Sequence, residues 1–253
     1  MNPPTRTRPL NQPLRIIQKA PADLSAEEVR AIEESLPLAL EESSGAMEAI
    51  KSRQGLILYM SEGTLACLIS YDFCEETLGD QPVAVTFGAQ AWVHRDFRGR
   101  NLIQKGLLRV FLRCRRRFPG RPIWFFAGIN NYKSYLGLRH TTNRLIPAVG
   151  RPPDDAGIAL LDRLSRRFYQ RPWNENGPCL HKGSTTRSFV REDREMDGAT
   201  LAKKEVQDYV ALNPGHADGD RLLVIVPVDL YTGFEILVNM AWRILSRSRR
   251  QRR

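Results

Sequence analysis

The sequence predicts a protein of the α/β (α+β) class, with a mixed, mostly antiparallel central sheet and helices on both faces. Three observations predict it. Apolar runs of strand length crowd residues 55–93, one long amphipathic helix pattern follows at 101–117, and another apolar strand run comes directly behind it at 122–129. Antiparallel strands leading into a strand-helix-strand passage describe a β-α-β unit set into a mixed sheet. Composition agrees. With 42% hydrophobic and 26% charged residues, 253 residues are enough to bury a core and argue against disorder or a multi-span membrane protein.

Residues 1–22 hold five prolines and four basic residues without an acid, an extended basic arm in which Leu14, Ile16 and Ile17 can add a short strand. Ser25 and Glu28 have capping-box spacing, and Val29, Ile32, Leu36 and Leu40 recur at helical spacing, so a helix runs from Ala26 to about Glu42, interrupted or ended near Pro37. Strands follow at Gly55 to Met60, Thr64 to Phe73 and Pro82 to Val93, the first two joined by Ser61-Glu62-Gly63. Asn101 to Arg117 is one helix, because Ile103, Leu107, Val110, Phe111 and Cys114 share a face opposite Lys105, Arg109, Arg113 and Arg116. Pro122 to Ile129 is a buried strand, and a short helix ends near Arg139; together 23–150 form the core. In 151–231, an extension that completes the sheet, Asp154 or Asp155 caps a helix to Tyr169, Gln170 to Gly183 is a loop, and Thr185 to Val190 a strand. Leu201 to Leu212 is then a helix and Arg221 to Val228 a buried strand. Residues 232–253 are an amphipathic helix with a basic tail; it packs on the sheet, with peripheral contact between the tail and an anionic membrane as the alternative reading.

Cys67, Cys74, Cys114 and Cys179 contain no C-x-x-C pair, and His94, His140, His181 and His216 have no metal-like spacing, so no metal site is expected. Cys114, on the apolar helix face, is expected to be a buried thiol. Reduced thiols and a Pro- and Arg-rich start without an apolar leader lead to the expectation of a cytoplasmic protein. The net charge is +10, and it has an address. Residues 1–20 contribute +4 and 243–253 contribute +6, while 21–94 carry −10 and 95–121 carry +9. That local +9 points to a phosphate-bearing ligand before nucleic acid, since no aromatic interleaving or recognition motif accompanies it.

The passage Ala91-Trp92-Val93-His94-Arg95-Asp96-Phe97-Arg98-Gly99-Arg100-Asn101-Leu102 carries a strand into a helix through three arginines. A helix start presents unpaired N–H groups and a positive dipole end, Arg98 and Arg100 add charge-assisted contacts, and Gly99 lets the backbone come close. A pyrophosphate is the ligand this suits. The passage resembles the GNAT superfamily of acyl-CoA-dependent N-acyltransferases, in which a strand ends in Val-x-Pro-x-Tyr-Arg-Gly-x-Gly-x-Gly/Ala. The match runs over Val93, Phe97, Arg98, Gly99, Arg100 and Leu102, and the wider resemblance covers Gly55 to Arg139. It implies that Trp92, Val93, Arg98, Gly99, Arg100, Asn101, Leu102, Ile103 and Asn130 bind acetyl-CoA or another acyl-CoA.

Three positions depart from the pattern: Arg95 stands for proline, Asn101 for a motif glycine and Ile103 for the final Gly/Ala. The family's acidic tyrosine would fall at Gly137 or Leu138, which leaves Tyr135, one turn earlier, as the catalytic candidate, with Tyr132 behind it. Glu75, Glu76 and His94 are the candidate bases. The resemblance implies transfer of an acetyl or other acyl group to an amine acceptor, a small molecule or a peptide. The alternatives are a catalytically silent binding or regulatory module of the same fold, or a transferase using acyl carrier protein or long-chain acyl donors. Nothing in the sequence fixes an oligomeric state.

Overall fold

The computed structural model describes residues 12–39, 45–140, 142–151, 154–170, 173, 179–180 and 196–229. These fall into two compact units interleaved along the chain. Among the described residues the first unit holds those up to Phe73 together with Gly88–Arg113, and the second holds Cys74–Phe87 and those from Cys114 onward.

In the first unit the strand order is β1 (Arg15–Lys19), β2 (Gly55–Ser61), β3 (Thr64–Leu78), β4 (Gln81–Val93). β1 and β3 both run antiparallel to β2, pairing Ile17 with Leu58 and Leu58 with Leu68. His94 N–H donates to Ala66 C=O at 2.9 Å and Gln90 N–H to Ser70 Oγ at 3.0 Å, a register that only an antiparallel β3–β4 hairpin gives. Strand alternation then sorts the side chains of β2 to its two faces. Leu56, Leu58 and Met60 share a core with Ala31 and Ile32 of α1 (Ala26–Ala39) and with Met47 and Ile50 of α2 (Ala46–Lys51). Tyr59 and its cross-strand neighbours point the other way, toward α3 (Leu102–Arg117). There a Cβ at Gly106 would lie 2.2 Å from Ile69 Cδ1, so α3 sits as close to the sheet as a glycine permits. Helices thus cover both faces of this part of the sheet, as expected.

The capping box opening α1 is reciprocal: Glu28 N–H donates to Ser25 Oγ at 3.2 Å and Ser25 N–H to Glu28 Oε2 at 2.8 Å. Lys19 adds an ion pair to the same carboxylate at 2.9 Å. Burial works to raise the Glu28 pKa, but Lys19 and the Ser25 N–H outweigh it and hold the group below its ordinary value. Pro37 lies within α1, which continues to Ala39. The expected stretch from Leu40 to Glu42 lies outside the described residues. α2 has no counterpart in the sequence reading.

In the second unit the order is β4, β5 (Ile123–Ile129), β7 (Arg221–Val228), β6 (Cys179–Leu180). Ala84 N–H donates to Pro122 C=O at 2.9 Å, bringing the heads of β4 and β5 together as a parallel pair joined through a helix requires. β7 runs antiparallel to β5 over its whole length, Ile123 opposite Val228 and Ile129 opposite Leu222. Phe87, Phe126, Phe168 and Tyr169 form an aromatic cluster that seats α5 (Asp155–Tyr169), Phe87 stacking on Phe168 at 4.2 Å. α5 is capped by Asp154, whose Oδ1 accepts the Gly157 N–H. α4 (Tyr132–Arg139) packs against α7 (Lys204–Leu212), which follows the single-turn α6 (Gly198–Leu201).

Two expectations are corrected. The span Gln170 to Gly183, read as loop, contains β6, two residues that pair with Leu222 and Arg221. The helix expected from Leu201 is instead α6 and α7, divided at Ala202 and Lys203. The strand expected at Thr185 to Val190 and the helix from Thr232 lie outside the described residues. Among the described residues no helix is long and apolar enough to cross a membrane, and no three His, Cys, Asp or Glu side chains gather as metal ligands.

Cys114 is fully buried, as its place on the apolar face of α3 predicts, and so is Cys67, whose thiol burial pushes up to about 12. Thiolate is the reactive form, so neither should react with a disulfide reagent at pH 8 in the native protein, while both react in denaturant. Peptide mapping after labelling checks this; native labelling of either would contradict the packing.

Candidate functional site

The basic passage between β4 and α3 lies wholly in the first unit. Trp92 and Val93 end β4 half-buried, and Trp92 packs against the core beneath α1 and α2. Arg95–Phe97 form a 3-10 turn in which His94 Nδ1 accepts the Asp96 N–H at 3.3 Å. Phe97 is buried and anchors the turn, and the Arg100 guanidinium lies over its ring at 5.7 Å.

Two residues then reverse the backbone. Gly99 has φ +86° and Asn101 φ +55°, both left-handed. Asn101 therefore takes the conformation that the motif glycine would, and asparagine is the side chain best able to do so. Its C=O accepts the Lys105 N–H at 3.0 Å, so α3 begins directly behind it. The first turn of α3 contains no acidic residue, which leaves its dipole uncompensated by the chain itself. Leu102 is buried and Ile103 half-buried; Arg98 and Gly99 are exposed.

Arg100 is half-buried. Its Nη2 donates to Gln12 C=O at 3.1 Å, while Nη1 is buried and makes no hydrogen bond among the described residues. A buried guanidinium nitrogen without an acceptor is costly, and an anion brought to this loop would supply one. Gln12 is the participant that sequence reasoning missed. It contributes a backbone carbonyl, which every residue possesses, so no sequence signal could have found it.

Asn130, Asn131 and Tyr135 belong to the second unit. Asn130 follows β5 and is buried, and Asn131 caps α4, its Oδ1 accepting the Ser134 N–H at 2.8 Å. Tyr135 is 1% exposed and packs on Tyr209 of α7 with ring centres 5.5 Å apart. Burial, with Asp208 and Glu205 nearby, raises its hydroxyl pKa. The side chain expected to be the acid is thus enclosed among core residues of the second unit.

Glu76, one of the candidate bases, also lies in the second unit. It is bracketed by Arg163 and Arg167 of α5, each at 3.2 Å, so its carboxylate is already engaged as a tie between β3 and α5. Glu75 is exposed, and His94 is half-buried with its Nδ1 already accepting a backbone N–H. A buried carboxylate that the sequence did not single out is Asp72 on β3. It accepts the Gln54 N–H on Oδ1 at 2.6 Å and Arg53 Nη1 on Oδ2 at 2.8 Å, a structural tie within the first unit.

No family model matches the chain, and no curated protein matches it. Among solved structures, Escherichia coli ElaA is similar over 55% of this chain and 93% of its own, at 14% identity and a TM-score of 0.37. An aminoglycoside acetyltransferase from an uncultured soil metagenomic sample is similar over 51% of this chain and 87% of its own, at 12% identity and a TM-score of 0.37. An acyl-CoA N-acyltransferase from Pseudomonas aeruginosa is similar over 49% and 88%, at 14% identity and a TM-score of 0.35. At TM-scores this low the likenesses say nothing of what this chain does.

Proposed function

We propose that the chain is an N-acyltransferase that takes an acetyl or other acyl group from coenzyme A and passes it to an amine, on a small molecule or a peptide. The observation that carries this reading is the loop at the head of α3. Gly99 and Asn101 both turn left-handed, Arg100 holds a buried guanidinium nitrogen without an acceptor among the described residues, and no acid stands in the first turn. Arg98, Gly99, Arg100, Asn101, Leu102 and Ile103 fit the pyrophosphate of coenzyme A, which when bound supplies the acyl group as a thioester. Trp92 and Val93, at the end of β4 in the same unit, complete the proposed cofactor set.

The residues contribute positioning and charge rather than a dedicated acid-base pair. With Tyr135 in the core and Glu76 in ion pairs, rate enhancement rests on orientation of the two reactants, which alone supplies several powers of ten when geometry is right. Those same two observations favour a second reading, a module of this fold that binds coenzyme A without transfer.

Calorimetric titration with acetyl-CoA and with coenzyme A tests the common part; no heat at millimolar ligand would sink both readings. A mass-spectrometric screen of amines with acetyl-CoA separates them, acylated product supporting the transferase and its absence the silent module. Tyr135→Phe is expected to leave binding and any turnover within about twofold, because the ring packs and the hydroxyl does no chemistry. A hundredfold loss of turnover with unchanged melting temperature would restore it as the acid.

A further inference from the structure

We infer that the outer face of α3 is a docking surface for an anionic lipid bilayer. This inference does not depend on the acyl-CoA reading. α3 carries six basic residues and no acid. Its exposed residues are Lys105, Leu108, Arg109, Leu112, Arg113 and the run Arg115 to Arg117, so the solvent face consists of lysine, arginine and leucine alone. Leu108 is 56% and Leu112 48% exposed, the two largest exposures of a leucine on this helix. They lie one turn apart, where they make a single apolar spot. Advancing about 100° per residue, that spot falls inside the exposed arc, with Arg115 on one flank and Lys105, Arg109, Arg113 and Arg116 on the other.

The opposite face of the helix is already used. Leu102, Gly106, Val110 and Cys114 are buried, so the leucines at 108 and 112 have no part in holding α3 in place. What chemistry wants such a face follows from its parts. Phosphodiester backbones satisfy the cations but give the leucines nothing to enter. The core of a protein interface is ordinarily built on aromatic side chains and methionine and is poor in charge, and the exposed residues of this face include none of the former and are mostly charged. An anionic bilayer needs only sign and an apolar foothold: arginine and lysine stems lie along the headgroups while the leucines enter the acyl boundary.

Sedimentation of the full chain with phosphatidylcholine vesicles, with and without phosphatidylserine, tests the inference. Binding is expected only where phosphatidylserine is present. Arg113→Glu with Arg116→Glu should weaken it at least tenfold, and Leu108→Ser with Leu112→Ser at least threefold, with melting temperatures close to the parent's in both. Arg249→Glu with Arg250→Glu, in the basic tail, should change it less than threefold. The inference is overturned if the parent does not sediment, if either α3 variant sediments like the parent, or if the tail variant alone abolishes binding. Tighter binding to duplex DNA that ignores the leucine pair would overturn it in favour of nucleic acid.

Discussion

Arg98→Ala with Arg100→Ala is expected to weaken coenzyme A binding about a hundredfold, because two charge-assisted contacts to phosphate are each worth roughly 1.5–3 kcal/mol and part of that is screened at the surface. Arg98 is exposed and supplies the screened share. Arg100 supplies the rest, since its Nη1 is buried and lacks an acceptor among the described residues. Gly99→Val should reach a similar loss without removing charge: φ +86° is closed to a β-branched residue, so the loop must rebuild and its N–H groups turn away. Asn101→Gly is the informative contrast. It restores the motif glycine at φ +55° and is expected to leave affinity within threefold or improve it. Calorimetry on the set, with Arg249→Ala as a comparison that should bind like the parent, decides. Undiminished binding in the double alanine variant would remove the loop from the site.

How far the sequence foretold this depends on which forces were local. α3 was legible because its buried face repeats at helical spacing over four turns, and β2 and β5 because continuous apolar runs bounded by turn residues admit little else. The capping box at Ser25 and Glu28 was legible for the same reason, but Lys19 on Glu28 was not, since that pair forms only when β1 docks beside α1. β3 extends to Leu78, five residues past its expected end, because Cys74-Glu75-Glu76-Thr77 reads as polar and yet stays extended. Its side chains there alternate between exposed and half-buried, and Glu76 is claimed by two arginines more than eighty residues away. α2 was invisible, six residues being too short for periodicity to register. In the site, the turn chemistry at Gly99 and Asn101 was legible from residue type. The surroundings of Tyr135 were not legible, because an aromatic one turn from a family position looks the same in sequence whether it faces a cleft or, as here, Tyr209.

Asp72→Ala is expected to cost about 3 kcal/mol of folding stability, in the range found when one partner of a buried ion pair is removed, and to lower the melting temperature by roughly 6–12 °C for a chain of this size. The choice between a small and a large effect turns on burial. An exposed pair would be worth less than about 1 kcal/mol. Here the Asp72 and Arg53 side chains are only 8% and 18% exposed. Loss of the carboxylate would take that acceptor from Arg53 Nη1 and from the Gln54 N–H, while Arg53 Nε keeps the Ala49 C=O and Nη2 keeps Ser52 Oγ. Asp72→Asn keeps an oxygen for one of these donors and should cost about half as much. Because Asp72 is a tie between β3 and the entry to β2 rather than a base, coenzyme A affinity per folded molecule should stay within twofold of the parent in both variants. Thermal melts with calorimetry on the folded fraction distinguish the roles. A stability loss under 1 kcal/mol would show that the pair is solvated in solution, and a turnover loss in Asp72→Asn at full stability would mean that the buried strand carboxylate takes part in the chemistry.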